Sequence, residues 1–440
     1  MRDRRMSGRL AAALGAALAL AAIPATALAA EGEATISSGD TAWLLVATAL
    51  VMIMLPGLAL FYGGLVRRKN VLSTIMHSFF GLAIVSVIWV LWGYSLAFGP
   101  DQGGLGLIGG LDFLGFAGVG TEPDPRYAAT IPHVLFAAFQ LMFAAITPAL
   151  ITGAFAERKR FASFVLFTVL WSTLVYSPLA HWVWAPGGWL RTLGALDYAG
   201  GTVVHISSGV SAFVVAMLIG RRVANGEPLD PHDVPMTVLG AGLLWFGWFG
   251  FNAGSALAAT GQAANALLVT NTAAGAATLT WVLASSLHKG KTSVIGAACG
   301  AVAGLVAITP ASGFVAPGGA VVIGALAGGL CYSATLLRER LRIDDALDVF
   351  AVHGVGGTLG AIATGVFAVA AIGGVSGAIE GNVGQVGIQL VAVVATYLFA
   401  AAATFLIVKV VDLVIGLRVS PKDEEVGLDL ALHGEVAYQP

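Results

Sequence analysis

Two stretches of the chain place an aspartate eight residues ahead of a histidine: Asp197 before His205, and Asp345 before His353. Both histidines fall in apolar surroundings, where an ionisable side chain is costly and marks a functional site. A histidine pair in a dry passage can relay a proton or orient a small polar solute. An aspartate at a helix start caps backbone N–H groups and stabilises a nearby cation. A two-histidine metal site would need a third protein ligand, with a carboxylate or carbonyl behind each imidazole. No His-x3-His, adjacent glutamate or cysteine at that depth supplies one. Cys299 and Cys331 lie in apolar runs and form neither a disulfide framework nor a metal site. No nucleophile–base set or cofactor motif is present. The Gly354-Val355-Gly356-Gly357 run reads as a packing surface inside a span, not as a phosphate loop.

The elements that must hold these residues follow from composition. Of 440 residues, 58% are hydrophobic and 10% charged, against roughly a quarter charged in soluble domains. The fold class is therefore an all-α integral membrane protein, and its 58 glycines suit close helix–helix contact. Nucleic-acid binding is excluded, because 22 Lys and Arg face 24 Asp and Glu without a basic patch. Residues 1–29 read as a signal peptide, with Arg2, Arg4, Arg5 and Arg9 ahead of an apolar run and Ala27-Leu28-Ala29 as cleavage site. Eleven spans of about 20 residues follow, near 41–65, 73–98, 132–154, 161–180, 199–220, 235–257, 263–287, 293–310, 318–337, 346–371 and 386–411. Alternate connections and the C-terminal end hold sixteen of the Lys and Arg residues, while the opposite side holds only Arg126 and Arg191. By the positive-inside rule the mature N-terminus is outside and the C-terminus in the cytoplasm. The long external loop near 99–131 carries Asp101, Asp112, Glu122 and Asp124, which favours a cation at the outer mouth.

The fifth span runs inward and the tenth outward, so the two Asp-x7-His units enter from opposite faces. Eight helical residues rise about 12 Å, and half the hydrocarbon core is about 15 Å. Both histidines are therefore expected near the midplane. That is the pattern of a five-plus-five inverted repeat with its site at the repeat interface and the eleventh span outside it. Asp345 and Asp348, beside the Arg338–Arg342 cluster, read as structural.

Three further segments point to the outer face: Phe139-Gln140-Leu141-Met142-Phe143, His181-Trp182-Val183-Trp184 in the loop before Asp197, and Trp248 to Ser255. Indole and phenyl faces attract a small cation, and Ser255 can accept a hydrogen bond from an N–H donor.

In this order the segments resemble the ammonium transporter family (the Amt/Mep/Rh superfamily). The likeness also covers Pro56–Leu65, Ala156-Glu157-Arg158, Asp344–Gly354 and Gly416-Leu417-Arg418-Val419. It implies a homotrimer with one narrow pore through each protomer, without cofactor or bound metal and without enzymatic activity. By resemblance, Trp184 and Ser255, with Phe139, form an outer ammonium site. Phe143 and Phe251 form a stacked gate, His205 and His353 line an apolar conduit, and Asp197 supports recognition and deprotonation. Ala185-Pro186 follows Trp184 where family members often carry glycine, so the rim differs there. A domain over 30–411 would span the bacterial inner membrane, with lipid as its surroundings and methylammonium as a substrate analogue. A cytoplasmic tail over 412–440, with His433-Gly434-Glu435, would couple protomers and meet a regulatory PII-type protein. The alternative is an ammonium sensor signalling through that tail, although about 30 residues hold no kinase or cyclase domain. A pore for another small neutral solute is the remaining option.

Overall fold

The computed structural model describes residues 35–223 and 229–438; the signal peptide expected over 1–29 lies outside the described residues. Among them there is no β-strand, only isolated bridges such as Lys159–Arg418. Among the described residues, ten helices are long and apolar enough to cross a membrane. They are α1 (Ser38–Leu65), α2 (Arg68–Phe98), α3 (His133–Phe155), α4 (Phe161–Leu193), α5 (Gly201–Ile219), α6 (Val234–Ala256), α7 (Gly261–Lys289), α9 (Pro317–Arg340), α10 (Phe350–Phe367) and α11 (Gly384–Ile415). The segment expected as an eighth span forms a helix of only 15 residues, α8 (Val294–Ile308), about 22 Å long against a hydrocarbon core of about 30 Å. It stops because the chain turns at Thr309–Phe314, where the Pro310 carbonyl accepts the Tyr198 N–H at 3.1 Å. The eleven expected spans thus become ten full-length helices and one short one.

Local chemistry sets the helix starts. Ser37, Asp233, Thr260 and Ser293 cap α1, α6, α7 and α8 by accepting backbone N–H groups. Near-uniform hydrophobicity leaves no solvent face, so packing is decided by small residues. α1 lies along α6 with backbones almost touching: a Cβ on Gly240 would stand 2.2 Å from the Phe61 nitrogen. α5 meets α10 in the same way, since a Cβ on Gly209 would stand 2.2 Å from the Gly354 nitrogen. The first span thus packs on the sixth and the fifth on the tenth.

One end of the bundle is basic. There Glu157 accepts from Arg67 and Arg222, each at 3.1 Å, and Asp344 pairs with Arg222 at 2.8 Å. Burial opposes ionisation of Asp344, but the hydrogen bonds and charge of Arg222, with Arg158 nearby, hold its carboxyl down at about 2. Glu157 is held low in the same way by Arg222 and Arg67, against the cost of its burial. α11 runs to Ile415, past the boundary expected at 411, and the tail after it docks on this basic end. Asp429 accepts the N–H groups of Leu72 and Ser73 at 3.0 and 2.8 Å, and Glu424 pairs with Arg418 at 2.5 Å.

Candidate functional site

Both histidines sit in a wide π-helical turn that opens its span, Gly201–Ile206 in α5 and Phe350–Gly354 in α10. Such turns cluster at functional sites because they re-aim a side chain. Each turn is anchored by its own aspartate. Asp197 Oδ1 accepts from the nitrogens of Gly200 and Gly201 at 2.7 and 2.6 Å, and Oδ2 from that of Thr202 at 2.7 Å and from its hydroxyl. Asp345 Oδ2 accepts from the Phe350 nitrogen at 2.7 Å. The matching caps place two buried imidazoles face to face, with ring centroids 5.3 Å apart and Nδ1 to Nδ1 at 3.2 Å. At that distance one Nδ1 carries the shared proton and the other accepts it. Among the described residues His205 Nε2 has no hydrogen-bond partner.

Phe251 and Trp248, one turn apart on α6, cover His205 at 6.1 and 5.5 Å. The Trp248 indole is fixed by donating to Thr309 Oγ1 at 2.9 Å. Phe251 in turn lies against Phe143 of α3, with centroids 4.2 Å apart and planes tilted by 34°. Between Phe251, Trp248, Tyr62, the histidines and Leu58, Ile146 and Leu244 remains a largely apolar void of only ≈10 Å³, about the room one water needs.

On the other side of Phe143 opens a cavity of ≈140 Å³ lined by Gln140, Phe143, Trp184, Arg191, Tyr198 and Ser255, among others. Trp184 ends a helical turn, Ser177–Trp184, rather than standing in a loop as expected; the break comes one residue later, at Ala185. Its ring meets Phe143 edge-on at 5.8 Å, and its indole N–H donates to the Asp197 carbonyl at 2.9 Å. Ser255 spends its hydroxyl proton on the Phe251 carbonyl at 2.9 Å, which leaves its oxygen free to accept. The arrangement offers aromatic faces and a hydroxyl oxygen to a small cation, and beyond Phe143 a mostly apolar lining with two imidazoles, Tyr62 and Trp248.

The structure brings Trp184, Ser255 and Phe143 to one cavity and Phe251, His205 and His353 to the void beneath it. It does not bring Phe139 or Asp197 to the cavity wall. Phe139 is buried behind Phe143 at 5.0 Å and packs on Gly254. The Asp197 carboxylate is turned to its own backbone. Sequence reasoning missed Gln140, Tyr198 and Arg191 as wall residues and Trp248 as the cover of His205. Their signals were spacing alone: Gln140 is a polar residue one turn from Phe143, and Trp248 stands three before Phe251. Gln140 Oε1 and Tyr198 Oη are buried without a partner among the described residues.

At the basic end a larger cavity of ≈480 Å³ is bordered by Leu65, Arg222, Cys299, Arg338, Asp344 and Asp348.

The Ammonium Transporter Family model matches residues 42–438. An ammonium transporter of Bacillus subtilis is 52% identical over 404 residues, covering 91% of this chain and 98% of that protein. The crystal structure of Saccharomyces cerevisiae Mep2 superposes with a TM-score of 0.82 at 40% identity, covering 88% of this chain and 91% of that one. A solved structure described as a sensor Amt protein gives 0.82 at 30% identity, covering 90% and 98%. The curated relatives are ammonium transporters rather than enzymes, and the likeness makes the chain a multi-pass membrane protein. It belongs to the ammonium transporter family.

Proposed function

We propose that the chain takes up ammonium by recruiting NH4+ at the cavity walled by Trp184 and Ser255, stripping one proton there, and passing NH3 between Phe143 and Phe251 to the His205–His353 pair. The supporting observation is the order of these groups: a polar, aromatic cavity, then two contacting phenyl rings, then a void of ≈10 Å³ lined by apolar side chains, the two imidazoles, and Tyr62 and Trp248, whose hydroxyl and indole protons are already donated to Leu150 and Thr309. Carrying an ammonium-sized ion into low dielectric costs on the order of 20 kcal/mol by an idealised Born estimate. Neutral ammonia avoids that cost, since the N–H electron pair stays on nitrogen and the proton leaves. Potassium has no proton to shed, and no ring of carbonyls replaces its hydration shell. Asp197 acts at one remove, by fixing the α5 turn and the Trp184 indole, and Phe139 acts by backing Phe143.

The reading places the aromatic end outside and the basic end in the cytoplasm of a bacterial inner-membrane protein. It extends to a homotrimer, each protomer with its own pore, in which the tail on the basic end meets a PII-type regulatory protein.

The test is the current recorded after an ammonium jump on liposomes holding the purified protein, with an equal potassium jump and a His205→Ala/His353→Ala variant. Current with ammonium alone, and loss of that discrimination in the variant, supports a proton that follows ammonia through the histidines. An internal pH change without current means that the proton stays outside. Neither signal, with ammonium still bound, overturns transport and favours a sensor that signals through the docked tail.

A further inference from the structure

Arg191 stands on the short helix Trp189–Leu193 that ends α4, and it lines the same cavity as Trp184 and Ser255. Its guanidinium donates to the Trp184 carbonyl oxygen, the last residue of the preceding helix. Among the described residues no carboxylate forms an ion pair with it, whereas Arg126 is paired with Asp124 at 2.5 Å. The Asp197 carboxylate, the nearest acid in sequence, is consumed by backbone N–H groups of its own turn. A positive charge, exposed and so partly screened by solvent, therefore borders a cavity whose other groups suit a cation. A helix carbonyl end, worth about half a charge, offsets it only in part.

We propose that Arg191 is the specificity-determining charge of the outer site: it repels each cation in proportion to valence, so ammonium is held loosely and divalent cations are kept out. The inference rests on the outer-site reading above. At an intermediate effective dielectric, one like charge on the same cavity wall weakens a monovalent cation about 3- to 10-fold. Because the energy scales with valence, a divalent cation is weakened by the square, about 10- to 100-fold. The bland alternative is that Arg191 merely positions Trp184 through the carbonyl. The two differ in sign: removing a repulsive charge tightens binding, and loosening Trp184 weakens it.

The experiment measures half-saturating ammonium and methylammonium in liposomes, and inhibition by Mg2+ and Ca2+, for the full-length protein and for Arg191→Gln, Arg191→Met, Arg191→Lys and Ser255→Ala. Expected are half-saturating concentrations about 3- to 10-fold lower in the Gln and Met variants and little change in the Lys variant. Inhibition by the divalent ions should begin about 10- to 100-fold lower in the Gln and Met variants, and the gap to the unmodified protein should narrow as salt rises. An unchanged or raised half-saturation in both neutral variants overturns the proposal. If Ser255→Ala still weakens binding in that case, the outer site stands and only the role of Arg191 fails. If Ser255→Ala is also without effect, the outer-site reading fails with it.

Discussion

The indole N–H of Trp184 donates to the carbonyl oxygen of Asp197 at 2.9 Å, while the carboxylate of the same aspartate holds the first turn of α5. One residue thus fixes both the cavity wall and the π-helical turn that carries His205. Replacing Asp197 with Ala removes every side-chain acceptor from Gly200, Gly201 and Thr202 and leaves buried donors unpaired, each costing about 1–3 kcal/mol. Asp197→Ala is expected to lower the thermal midpoint sharply in detergent and to abolish methylammonium uptake. Asp197→Asn keeps one oxygen and should fall between the two. If Asp197→Ala unfolds at the unmodified temperature, the carboxylate does not hold the turn.

The contact between Phe143 and Phe251 separates the cavity of ≈140 Å³ from the void of ≈10 Å³. Phe251→Ala would join the two, at a packing cost of about 3–5 kcal/mol. The expected outcome is a folded but less stable protein in which water reaches His205 and a potassium jump evokes a current absent from the parent. Phe139→Ala, one ring further back, should cost stability without admitting potassium. Equal ion selectivity in the two variants would mean that the rings pack but do not gate.

How much of this was legible beforehand depends on what each residue's surroundings required. The paired histidines stood out because polar residues in apolar spans are rare and their spacing to aspartate repeats. Hydropathy located the helices, α8 included to within two residues at either end, but not the turn packed against Tyr198 that follows Ile308. Trp184 looked like a loop residue because Pro186-Gly187-Gly188 follows it, yet the helix persists to the last residue before that break. Phe139 and Phe143 are one helical turn apart, and sequence spacing alone could not say which would reach the cavity. Gln140, Tyr198 and Arg191 come from three segments whose meeting depends on interhelical contacts, and no local pattern records it.

Gly209 is the contact that lets the two histidines meet. A Cβ there would stand 2.2 Å from the Gly354 nitrogen, a backbone atom with no side-chain freedom to yield. Gly209→Ala must therefore push α5 from α10 and lengthen the 3.2 Å separation of His205 and His353. The expected cost is about 1–3 kcal/mol or more, with ammonium uptake falling more than in Gly275→Ala, where the added carbon meets nothing within 4 Å. Equal uptake in both variants would show that close approach of α5 and α10 is dispensable.

The basic end makes stability fall in acid. Asp344 is held at about 2 against an ordinary value of 3.8, mainly by Arg222 once the opposing cost of burial is met. Because the folded carboxyl is the stronger acid, its contribution is complete above about pH 4 and disappears as pH falls toward about 2. Integrated over that window the loss is about 2–3 kcal/mol. Glu157, lowered by Arg222 and Arg67 despite its burial, adds in the same direction. The midpoint of thermal unfolding should therefore drop between pH 4 and pH 2 in the parent. In Asp344→Asn it should start lower and change less over the same interval, because the neutral amide takes up no proton and only Glu157 still titrates against Arg222. A variant that loses stability in parallel with the parent would locate the acid-sensitive pair elsewhere.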